Sequence, residues 1–155
     1  MAITKSDFYT QSLNQFAPHR LRGEYLDWGL NAWVLEAQID ATQATALMAG
    51  DLVKVYPDST GKLKVVAGSS ADKAVGYILY NAKREEFKAG DICSVLFRGG
   101  VIAAVTEEAI DAGEIVYYKD ADGSVTTTAS GNRMGFAMAK TEATTGGTLI
   151  PVLVA

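Results

Sequence analysis

The side chains able to do chemistry in this sequence are few and scattered. His19 is the single histidine of 155 residues, and it sits between Pro18 and Arg20 with no nucleophile near it in sequence. A Ser-His-Asp or Cys-His site would have to be built on it; its setting reads instead as a surface or packing histidine. Cys93, the single cysteine, lies in Ile92-Cys93-Ser94-Val95, where a small buried residue is expected rather than a reactive thiol. One cysteine allows neither an internal disulfide nor a thiolate metal site.

The acidic side chains come closer to a pattern without completing one. Asp120-Ala121-Asp122-Gly123 resembles a fragment of a calcium loop. It lacks a third acid before the glycine and the bidentate Glu that closes such a loop, and a hairpin turn accounts for it. Glu85-Glu86 and Glu107-Glu108 are paired acids. Glycoside hydrolysis needs two carboxyls at a fixed separation across a cleft, and nothing in the sequence fixes one. No Gly-x-x-x-x-Gly-Lys-Ser/Thr and no Gly-x-Gly-x-x-Gly occurs, so no phosphate cradle is built. The sequence thus predicts no catalytic, cofactor-binding or metal-binding residues, and a role that is not enzymatic.

The elements that would have to position such groups are short strands. The chain has 15 glycines and 3 prolines, with 48% hydrophobic and 21% charged residues, an ordinary globular balance. Val34, Glu36 and Gln38 alternate against Leu35, Ala37 and Ile39 in a strand over 33–40. Residues 41–48 suit a helical turn or a loop. Strands are expected over 51–56 and 62–67 around the Pro57–Gly61 turn, then over 75–82, 91–98 and 101–106. Residues 107–112 suit one helical turn. Further strands are expected over 114–119 and 124–129 around the Asp122-Gly123 turn, and over 134–141 and 148–154. Strands punctuated this regularly predict an all-β fold, a small barrel or sandwich of short antiparallel strands.

Two stretches echo each other. Ala49-Gly50-Asp51-Leu52-Val53 leads to Gly61, then Val75-Gly76-Tyr77-Ile78, then Gly90-Asp91-Ile92. Ala112-Gly113-Glu114-Ile115-Val116 leads to Gly123, then Met134-Gly135-Phe136-Ala137, then Gly147-Thr148-Leu149. A glycine ahead of a strand allows a left-handed turn into it, and one inside a strand marks a bulge or a close backbone approach. The echo predicts paired β-units.

Residues 1–32 read differently. Phe8, Tyr9, Phe16, Tyr25 and Trp28 recur without a sustained period, and Pro18 and Gly23 break any helix. Two readings fit, a segment packed on its own domain or an extended arm whose aromatics dock on a neighbouring chain. The division is an N-terminal arm over 1–32 and a β domain over 33–155, with those five aromatics as the candidate interface with a neighbouring chain. The start of the chain lacks the apolar core of a secretory leader. No apolar run is long enough for a membrane helix. A net charge of −4 without a Lys/Arg cluster argues against gripping nucleic acid.

Gly99-Gly100-Val101-Ile102, then Glu108 to Tyr117, Asp122 to Thr128, Met134-Gly135-Phe136-Ala137 and Gly146 to Val154 together resemble the capsid decoration (cement) proteins of tailed phages. These include a group often labelled as recombinase-associated, a label that the missing phosphate loop contradicts. The resemblance runs over about residues 50–155 and is best over 99–154. It implies a virion protein on the capsid exterior, present in the host cytoplasm before assembly. Its partners would be the major capsid protein and further copies of itself, as homodimers or homotrimers. No cofactor, nucleic acid or membrane is implied. Other readings are another virion component, such as a head-fibre base or minor capsid protein, and a carbohydrate- or small-ligand-binding β-module.

Overall fold

Alternating apolar residues and glycine punctuation give thirteen strands in the computed structural model, which describes residues 22–23, 25–27, 32–73, 75–84 and 86–155. They are β1 (Tyr25–Asp27), β2 (Trp33–Ile39), β3 (Leu47–Met48), β4 (Leu52–Pro57), β5 (Leu63–Ala67), β6 (Val75–Ile78), β7 (Glu86–Phe87), β8 (Ile92–Arg98), β9 (Val101–Thr106), β10 (Ile115–Tyr118), β11 (Val125–Thr126), β12 (Arg133–Ala137) and β13 (Thr148–Val154). The fold is all-β, and the described residues contain no helix. The helical turn expected over 107–112 does not form. Its backbone bonds reach outward instead, with Ile110 and Thr141 bridging each other at 3.2 and 2.8 Å.

Strands β2, β5, β4, β6 and β8 close in that order into a barrel. All its pairs are antiparallel except β2 with β5, which run parallel at Gln38↔Lys64 and Ile39↔Val65. The barrel is filled by small and branched side chains, among them Ala37, Val53, Val65, Ile78, Cys93 and Val95, as suits a narrow bore. The ribbon of β3 and β7 brings Leu47 and Phe87 into the same core.

The second sheet repeats this plan without closing, in the order β1-β9-β13-β12-β10-β11. Matching the registers superposes the two units. Val53↔Gly76 corresponds to Val116↔Gly135, Val55↔Val65 to Tyr118↔Val125, Ile78↔Val95 to Ala137↔Val152, and Ala37↔Cys93 to Ala104↔Ile150. The turn glycines agree as well. Gly50 (φ 87°) donates to Ile78 and Gly113 (φ 90°) donates to Ala137, both at 2.7 Å. The strand glycines are places of close approach: a Cβ on Gly76 would lie 2.4 Å from Val95, and one on Gly135 would lie 1.8 Å from the Leu153 carbonyl oxygen. The echo in the sequence is thus a repeated five-stranded unit.

The two units pack unequally. The outer face of the first, at Leu52, Tyr77, Leu79 and Leu96, joins one core with the inner face of the second, including Ile102, Val116, Tyr118, Ile150 and Val152. The barrel's flank therefore fills the open side of the second unit.

Candidate functional site

Of the groups that might have done chemistry, Cys93, Asp122 and Glu108 are occupied structurally. Cys93 faces the barrel core, opposite Ala37, at the position Ile150 holds in the second unit. Burial pushes its thiol up to about 12, so the nucleophilic thiolate is suppressed. Asp122 closes its own turn, accepting from the Ser124 backbone N–H at 2.9 Å and its hydroxyl at 2.6 Å. These bonds, the hydroxyl's first, hold its carboxyl below the usual range. Glu108 accepts from the Thr126 hydroxyl at 2.6 Å and the Thr127 backbone at 3.1 Å. Glu86 is exposed on β7. His19 and Glu85 lie outside the described residues. Among the described residues, no three His, Cys, Asp or Glu side chains converge as a metal site.

What remains is surface, and three regions are built for contact. The first is a clasp at Arg22. Its Nη1 donates to Asp51 Oδ1 at 2.8 Å. Its Nη2 donates to the carbonyls of Gly50 and Gly123, both at 3.1 Å, and to the Tyr118 hydroxyl at 3.2 Å. One guanidinium thus ties the segment before β1 to a turn of each unit, and its planar fork suits several acceptors at once. Gly23 extends the tie by donating to Ala103 at 2.8 Å and accepting from Tyr80 at 2.9 Å.

The second region is an aromatic corner where β2 begins and β8 ends. Trp33 is 50% exposed, its ring 5.4 Å from that of Phe97 and 5.5 Å from the Arg98 guanidinium carbon. By parity Trp33 falls on the side of Leu35, Ala37 and Ile39. The register shift there (Trp33↔Arg98, then Val34↔Leu96) makes Phe97 the extra residue of β8, so that Phe97 and Arg98 both stand against Trp33 at the barrel's end. Trp and Arg both anchor interfaces, but Arg98 is far from Trp33 in sequence, so no local pattern marks the pair.

The third region is the outer face of the second unit, where Ile115, Phe136 and Leu153 stand directly opposite one another across β10, β12 and β13. Met138 continues the face, and the Arg133 guanidinium lies 4.7 Å over the Phe136 ring. Antiparallel sheets that face water on one side usually turn polar residues outward; this face does not.

Of the five aromatics proposed from sequence as an interface, Phe8, Tyr9, Phe16 and Trp28 lie outside the described residues. Tyr25 belongs to β1, whose backbone pairs with β9 at Tyr25↔Ile102.

Comparison with known proteins adds two findings. A family model described as XM1 gp53 minor capsid protein matches residues 29–153, which takes in both five-stranded units. Among solved structures, the chain is similar to the head fiber gp8.5 N base in bacteriophage phi29. The identity is 13%, the likeness covers 80% of this chain and 94% of that one, and the TM-score is 0.50. At that identity the likeness is one of fold. No curated protein matches the chain.

Proposed function

The chain belongs to the XM1 gp53 minor capsid protein family, and from that premise we propose that it is a decoration protein, seated on the outside of a phage shell and bridging major capsid subunits. The family match across both units carries the reading. The molecule's chemistry agrees with it, because Cys93 serves a core and Asp122 and Glu108 serve turns. The net charge of −4 suits an exterior position away from packaged DNA. The shell contact falls to the N-terminal aromatics and to the corner at Trp33, Phe97 and Arg98. Weak contacts of this kind gain strength by repetition over a lattice.

The test is cosedimentation of the purified chain with expanded capsids that lack it, followed by heating of the shells. Binding at fixed stoichiometry with a raised shell melting temperature is the expected result. Binding to no capsid form would overturn the reading. Trp33→Ala is expected to weaken binding by about tenfold or more, as loss of an aromatic anchor does. Removal of residues 1–20, which spares Arg22 and β1, tests the arm: unchanged capsid binding would release Phe8, Tyr9 and Phe16 from the role.

A further inference from the structure

The internal repeat allows each surface of one unit to be compared with its counterpart in the other. In the first unit Leu52, Tyr77, Leu79 and Leu96 form an outer face that is buried, at 3%, 3%, 7% and 0% exposure. The register carries these residues onto Ile115, Phe136, Met138 and Leu153. There Ile115 is 38% and Met138 51% exposed, and Phe136 and Leu153 are half-buried. The apolar character is retained position by position although, among the described residues, no further unit packs upon the second. We propose that this face is a contact between two copies of the chain, packed face to face about a two-fold axis.

Two observations select a second copy. The first concerns the available sockets. In the intact molecule the first unit's face is received by the open interior of the second, and every copy has that interior already filled. Head-to-tail propagation through that socket is therefore blocked, whereas a face that is apolar throughout can complement itself, as an isologous dimer requires.

The second observation is charge. One end of the face carries Arg133, opposite Tyr117. At the other end, beyond Met138, Lys140 lies 3.7 Å from both Asp111 and Glu142. Glu114, which accepts from the Asp111 backbone at 2.8 Å, adds a further acid there. The face thus has a basic pole and a net acidic pole. A two-fold axis lying between the faces and perpendicular to the line joining these poles reverses one copy on the other and sets each Arg133 against the partner's acids. Apolar sheet faces pack about 10 Å apart in such an arrangement.

The experiment is sedimentation equilibrium of the full chain at concentrations up to ~100 µM. The expected mass is that of two chains. Met138→Asp at the exposed part of the face is expected to give the mass of one chain, with a thermal melt that, unlike the wild type's, does not rise with concentration. Arg133→Glu is expected to raise the dimer Kd by about tenfold or more, and adding Asp111→Lys and Glu142→Lys to restore it. Should Met138→Asp fail to fold, this charge swap at exposed positions decides alone. A wild-type chain that stays single, a dimer indifferent to both sets of changes, or an assembly of three chains would overturn the proposal. No capsid is present, so its failure is separate from failure of the decoration reading. A face that is free in solution and covered only on shells would assign it to the capsid instead.

Discussion

The two five-stranded units share strand order and register but differ in how they are sealed. In the first, the Val65 carbonyl accepts from the backbone N–H of Asp40 at 2.9 Å, next to the parallel pairing of β2 with β5. In the second, the matching carbonyl of Val125 accepts from the Thr106 hydroxyl at 3.0 Å, and Thr106 stands where Ile39 does. A main-chain ladder in one unit is replaced by a side chain in the other. The cause lies in the filling. Tyr118 occupies the place of Val55, and its ring stacks obliquely on Tyr77 of the other unit at a centroid distance of 5.8 Å. A side chain of that size needs more room than a narrow closed barrel offers. The open unit becomes the socket and the closed unit the plug, and a duplicated motif becomes one molecule.

Equivalent leucines test this asymmetry most strongly. Leu96 is fully buried between the units, whereas Leu153 is its half-buried counterpart on the outer face. Leu96→Ala should cost about 2–5 kcal/mol in urea unfolding, in the range of large-to-small core changes. Leu153→Ala in the single chain should cost about 1 kcal/mol or less, given its partial exposure. Equal costs would break the plug-and-socket comparison.

The clasp comes next. Arg22→Met keeps much of the stem and removes bonds to Asp51, Gly50, Gly123 and Tyr118. A loss of about 1.5–3 kcal/mol is expected, as for hydrogen bonds to a charged group. Amide exchange at Gly23 and Tyr80 should accelerate with it. A change confined to overall stability, with those amides no faster than the rest, would reduce Arg22 to a packing residue.

Thr106 sharpens the sealing argument. Thr106→Val keeps the shape and deletes the hydroxyl, leaving the Val125 carbonyl without this donor. The expected cost is about 1–3 kcal/mol, the penalty for a buried acceptor left unsatisfied. Thr106→Ser, which retains the hydroxyl, should recover part of it. If Val and Ser behave alike, packing seals the second unit and the hydroxyl does not.

Much of this architecture was legible because its signals are local. Alternation located β2, and turn residues located the β4–β5 and β10–β11 hairpins. Glycine spacing disclosed the repeat, since Gly76 and Gly135 occupy equivalent points of close approach. The seal was not legible. Thr126, Thr127 and Thr128 favour extended chain, yet β11 stops at Thr126 because the bonds that would extend it go to Glu108. The meeting of Trp33 with Phe97 and Arg98 depends on a bulge in β8, and the burial of Leu52 and Tyr77 on a unit distant in sequence. A phage-head resemblance was readable from Gly99 onward, and the family match agrees with it. The contact surfaces depend on tertiary pairing, which no local pattern encodes.

Acid should separate the two seals by the smallest effect. Asp40, beside the first seal, accepts from the Thr42 hydroxyl at 2.6 Å, the Thr42 backbone at 2.8 Å and the Tyr56 hydroxyl at 2.7 Å. These bonds, the Thr42 hydroxyl's first, lower its carboxyl from the ordinary 3.8 to about 2. Glu108, beside the second seal, is lowered from 4.5, chiefly by the Thr126 hydroxyl, with burial opposing. A carboxyl whose folded pKa is depressed stabilises the fold fully above its unfolded value. That contribution fades as pH falls through the folded one. Each contribution begins to fade below the group's ordinary value, 4.5 for Glu108 and 3.8 for Asp40, and Asp40 retains charge toward about 2. Amide exchange followed from about pH 5 to 3 should show Thr127, which donates to Glu108, losing protection before Thr42, which donates to Asp40. Glu108→Gln should remove that early step and leave the behaviour of Thr42 unchanged. Loss of both amides at one pH would mean that the chain opens as a whole, and that the seals, though built differently, are not separable in stability.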